Sequence, residues 1–76
     1  MNDRGGIGMI TWIGLCAGEI WNFLDHNNGK ATLGKILSSV RAPKDTIYMA
    51  LGWLAREGYV SIDNLSLDTV VSLNRN

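Results

Sequence analysis

One cysteine, one histidine and one proline occur in the 76 residues, and each scarcity removes a class of function. A lone Cys16 cannot close an internal disulfide, so nothing ties the fold to an oxidising compartment, and a cytoplasmic location is expected. Cys16 and His26 stand ten residues apart. On a helix that is about 15 Å along the axis and about 80° around it, too far to share a metal. Cys16 is expected to be a small buried hydrophobe, and His26 the cationic end of a helix. Neither a Ser-His-Asp nor a Cys-His arrangement can be read, so no enzyme, no cofactor and no small-molecule substrate is implied.

Long apolar runs are missing too. The stretch most like one is broken by Glu19 and Asn22, which excludes a membrane span. The opening MNDRGGIGM has no run of signal-peptide length, so residues 1–9 are expected to be a flexible tail, with Met9 as an alternative start. Gly5, Gly6 and Gly8 follow no strand and precede no Lys-Ser/Thr pair, which argues against a phosphate loop. Charged residues make up 18%, below the usual quarter, while hydrophobic residues reach 46%. A single domain this small buries only about 60% of its unfolded surface, so some apolar surface is expected to be shared with a partner.

What is present organises around the one proline. Pro43 suits a first helical turn, where its missing N–H costs nothing, and Asp45 places negative charge near the positive end of the dipole. Ile47, Leu51 and Leu54 then recur at helical spacing with Ala50 and Ala55 beside them, and Gly58 can close the helix in a left-handed conformation. Upstream, Ile10, Ile13, Ala17, Ile20, Trp21 and Leu24 predict a helix from about Ile10 to His26, with Trp21 in the core. Trp12, Cys16 and Phe23 form a second stripe on that helix which one small domain is not expected to cover. Gly14 and Gly18 predict a close approach by another element.

Lys30 and Ala31 offer a very short strand, and Thr32 an N-cap for a helix to about Val40 that buries Leu33, Ile36, Leu37 and Val40. Only Arg41 and Ala42 then separate Val40 from Pro43, which forces a tight turn between two helices. Tyr59 to Asp63 and Thr69 to Leu73 alternate as two strands around a tip at Asn64 to Asp68. The reading is mainly α with a small β-hairpin: three helices, a short strand after the first, and a C-terminal two-stranded wing over residues 10–74. That order is a winged helix-turn-helix.

Over roughly residues 10 to 73 the chain resembles the winged helix-turn-helix superfamily, on the pattern LGWLAREG at 51 to 58 followed by a hairpin. AGEIW at 17 to 21 together with LGWLAREG looks like a small prokaryotic winged-helix family of uncharacterised function. The resemblance implies DNA binding, transcription regulation, and a recognition helix at 43–57. In place of the Gly turn and Ser/Thr start of many relatives, this chain has Arg41 and Pro43. Its hairpin carries Asp63 and Asp68 where DNA-binding wings carry Lys or Arg.

Charge is unevenly placed although the net is zero. From Lys30 to Arg56, five cations stand against Asp45, a net of +4, and the remainder carries −4. Lys35, Arg41, Lys44 and Arg56 are therefore the candidate phosphate contacts, with Thr46 as a hydrogen-bonding neighbour and Tyr48 in reach of a base edge. The competing reading is a protein-interaction or homodimerisation module using Trp12, Phe23, Met49, Trp53, Leu65 and Leu67, with the first helix as the dimer contact. Trp53 either packs under the wing against Leu65 or Leu67 or lies in that interface.

Overall fold

The structure, a computed structural model, describes residues 8–75, with side chains from residue 11 onward. Helix α1 spans Gly8–His26, strand β1 Lys30–Thr32, helix α2 Leu33–Ser39, helix α3 Lys44–Arg56, strand β2 Val60–Ser61 and strand β3 Val70–Leu73. Helix α1 thus starts two residues ahead of the Ile10 read from periodicity. The rest of the expected N-terminal tail, residues 1–7, lies outside the described residues, as does the Ile10 side chain.

Local chemistry sets each boundary. After α1, Asn28 and Gly29 take positive φ values of 63° and 86°, and the Gly29 amide donates to the Leu24 carbonyl at 2.7 Å. Thr32 caps α2 as expected, its side chain accepting from the Lys35 amide at 3.1 Å. Helix α3 has no side-chain cap at Pro43, and Ile47 N–H to the Pro43 carbonyl is its opening turn. Asp45 adds an acceptor for the Thr46 amide at 2.8 Å. Gly58, at φ 81°, lets the Tyr59 amide return to the Leu54 carbonyl and close the helix.

The strands form one antiparallel sheet in the order β1-β3-β2. Ala31 faces Val71 across β1 and β3, and Val60 faces Leu73 across β2 and β3. The strand before α2 is thereby stitched to the wing. The base of the wing is also bonded to α2, since Leu33 N–H donates to Thr69 O and Gly34 N–H to Leu67 O, both at 2.8 Å.

Ile20, Leu24, Leu33, Ile36, Ile47, Leu51 and Val71 are fully buried, so all three helices and the sheet share one core. Leu37 is half-buried rather than buried. Helix α1 meets α3 on one side and strands β1 and β3 on another. Its covered arc is therefore wider than one stripe and takes in part of the expected second one: Cys16 is buried and Phe23 half-buried against the core, while Trp12 stays 65% exposed. Trp21 departs the other way. It lies at the flank of the buried arc and is 38% exposed, with the Arg75 guanidinium 6.0 Å from its ring centroid. Gly14 and Gly18 have no packed neighbour, because a Cβ at either position would meet nothing within 4 Å.

Candidate nucleic-acid interface and the exposed face of helix 1

Helix α3 occupies the recognition position, with Ile47, Ala50, Leu51 and Leu54 turned inward. At about 100° per residue, Asp45, Met49, Gly52 and Arg56 form the line opposite that face. All four are exposed. Lys44 is exposed at the first turn, whereas Tyr48, expected to face outward, is half-buried against the core. Its place beside Ile47 and Leu51 draws the ring inward and limits its reach to a base. The outward line itself holds one acid and one cation, so positive charge has to come from its margins.

Lys30, Lys35, Arg41, Lys44 and Arg56 are all exposed, which puts every cation of the +4 segment at the surface. Lys35 projects from α2 and Lys44 from α3, on either side of the turn. Arg41 and Thr46 are placed elsewhere. Together with Ala42 and Pro43 they face Trp12, Leu15, Cys16, Glu19 and Asn22 of α1 across a groove of about 770 Å³.

The wing carries little for a phosphate. Asp63 and Asp68 are exposed, and so are Leu65 and Leu67, at 63% and 62%. Asn64 Oδ1 accepts from the Ser66 amide at 2.8 Å and from the Thr69 hydroxyl, which folds the tip on itself. Trp53 does not sit under this tip. Its ring lies 5.9 Å from that of Tyr59 at 39°, with 44% of the residue exposed, because Gly58 turns the chain and brings Tyr59 back alongside the last turn of α3.

Of the proposed protein-contact residues, Trp12, Met49, Trp53, Leu65 and Leu67 are exposed and Phe23 is not. Residues absent from that set are exposed as well: Leu15 at 59%, Tyr59 at 48% and Val70 at 49%. Leu15 was legible, since it lies on the far side of α1 from Ile20 and Leu24. Trp12 and Leu15 border the larger groove, Trp21, Trp53 and Tyr59 a smaller one of about 260 Å³, and Gly14 and Gly18 line both.

Burial, and then the negative charge of Glu19, push the Cys16 thiol above its ordinary pKa, which keeps it protonated and poorly nucleophilic. Among the described residues no three of His, Cys, Asp and Glu come together as a metal site, and no helix is long and apolar enough to cross a membrane.

The sequence model of a family described as "Winged helix-turn-helix domain (DUF2582)" matches residues 8–73. No curated protein and no solved structure matches the chain.

Proposed function

The chain belongs to this winged helix-turn-helix family, and we propose that it binds duplex DNA through α3 as a cytoplasmic domain of transcription regulation. The observation that supports this reading is the surface exposure of Lys35, Lys44 and Arg56 on the helix-turn-helix, with Lys30 exposed on the strand leading into it. Lys35 and Lys44 hold phosphates on either side of the turn, Arg56 contacts the backbone or a base from the outward line, and Met49 and Gly52 lie against the groove. With few side chains for base edges, most of the affinity is electrostatic and falls steeply with salt.

Titration of a labelled duplex by anisotropy at several salt concentrations tests this. Lys44→Ala with Arg56→Ala is expected to weaken binding about tenfold and to flatten the log–log salt slope by about 0.9 for each phosphate that is no longer neutralised. Affinity indifferent to both salt and the substitutions would sink the proposal.

A second reading is a protein-contact module. It is favoured by the large apolar residues left uncovered on α1, Trp12 at 65% and Leu15 at 59%. The same domain accommodates both roles, because α1 and the outward line of α3 are different surfaces.

A further inference from the structure

The outward line of α3 holds one side chain whose charge runs against a DNA surface. Asp45 is the only acid between Lys30 and Arg56, and it stands in the first turn of α3, the part of a recognition helix that comes nearest to base edges. It is exposed, and a carboxylate there opposes the phosphates that Lys35 and Lys44 attract. Its placement is set locally. The Thr46 amide donates to Asp45 Oδ1 at 2.8 Å, which anchors the carboxylate at the helix start, and among the described residues no ion pair or second hydrogen bond takes up Oδ2. Further along the line, Met49 and Gly52 bring no hydrogen-bonding side chain, and Arg56 lies about 16 Å away along the axis. Asp45 is thus the one polar reader that the first two turns of this line present.

We infer that Asp45 accepts a hydrogen bond from the exocyclic amino group of a cytosine in the major groove, and so selects a C·G pair at one position of the bound duplex. This rests on the DNA reading and adds a base to it. A carboxylate has acceptors and no donor. In the major groove guanine offers it O6 and N7 and thymine O4, all acceptors, so both bases repel it. The amino groups of cytosine and adenine are the two donors on that side. Adenine sets its N7 acceptor beside N6, where it opposes the second carboxylate oxygen, whereas cytosine has only a C5–H beside N4. Cytosine is therefore the better partner. With Oδ1 anchored by the Thr46 amide, Oδ2 is left for the base, and one N4–H satisfies it. Met49, one turn further on and 38% exposed, adds an apolar contact and no competing acceptor. The acid thereby gives up some affinity for phosphates in exchange for selectivity among bases.

Selection from a library of duplexes with a randomised core, followed by competition between the selected sites, tests it. The wild-type chain is expected to enrich a site with one required C·G pair. Asp45→Ala should lose the preference at that position alone, by about fivefold or more, the low end of what one base contact discriminates. The same variant should bind random-sequence duplex more tightly, because a like charge has been taken away from the phosphates. Asp45→Asn should move the preference to adenine, whose N6 and N7 match an amide. It keeps an acceptor for the Thr46 amide, so its melt should match the wild type. N4-methylcytosine at the required position should weaken the wild type and leave Asp45→Ala unchanged. A consensus that Asp45→Ala reproduces at every position overturns the inference while the DNA reading stands, and so does salt-dependent binding with no base preference in the wild type. Preference lost at all positions together with a lowered melt assigns Asp45 to the helix start alone and overturns it as well. A chain that binds no duplex overturns both readings.

Discussion

Gly18 and Gly34 are both helical glycines, and they differ in what a methyl group would meet. At Gly18 it meets open space; at Gly34 it would sit 3.1 Å from the carbonyl oxygen of Leu67. That oxygen cannot yield easily, because it accepts the 2.8 Å bond from the Gly34 amide that holds the wing to α2. The same substitution should therefore change stability in opposite directions. Gly18→Ala is expected to stabilise the monomer by about 0.5–1 kcal/mol through reduced unfolded-state entropy and better propensity. Gly34→Ala should cost about 1 kcal/mol net, the crowding outweighing the propensity gain. Urea melts at low protein concentration measure both, and two shifts of the same sign would show that the wing is not held where Leu67 places it. Neither sign could be read from the sequence, since propensity treats the two glycines alike.

At the scale of elements, the wing bears on the proposed DNA contact. Hydrophobic spacing made its strands legible, with Val71 buried and Leu73 half-buried on one face, because a period of two survives without knowledge of the partner strand. The lone strand at Lys30 was legible only as a fragment, and it exists because β3 offers it a ladder on the side away from β2. The helix-turn-helix was likewise set by local signals, namely Thr32 as a cap, Pro43 at a helix start and Gly58 at a stop. What local signals could not give was the path of side chains after each stop, and Trp53 shows it: Tyr59, not the wing tip, is its neighbour. The wing tip stays exposed, with Asp63 and Asp68 available to repel a phosphate backbone. Asp63→Lys with Asp68→Lys should therefore tighten duplex binding by about tenfold and steepen the salt slope by up to about 0.9 for each phosphate newly neutralised. Neither carboxylate takes part in a described hydrogen bond or ion pair, so the melt should change by less than about 0.5 kcal/mol. An unchanged salt slope would mean that DNA, if bound, passes the wing at a distance.

The whole molecule makes stability and assembly one question. Its Cα radius of gyration is 12.5 Å, and its core draws on every helix and on strands β2 and β3. Asn74 and Arg75 are tied back by exposed contacts, Arg75 to Asp25 at 2.6 Å and Asn74 to Tyr59, Gly58 and Ser61. A solvent-exposed ion pair of this kind contributes only about 0.2–1 kcal/mol. The surface that a chain of this size leaves uncovered is thus its largest reserve of further stability. If the protein-contact reading holds and a second copy takes the α1 face, folding and pairing are linked by mass action, and a copy present at 100 times its dissociation constant adds about 2.7 kcal/mol. For a domain of this length about 1 kcal/mol corresponds to roughly 4–8 °C in Tm. The melting temperature of the wild-type chain should consequently climb by several degrees between about 1 µM and about 100 µM. That of Gly18→Gln, which puts a side chain on that face, should stay flat over the same range and lie above the wild type at the dilute end, where both are monomers and only the helix gains. Parallel concentration dependence in the two proteins would place the pairing surface away from Gly18, and a flat wild-type curve would leave the exposed tryptophans of α1 without a copy to cover them.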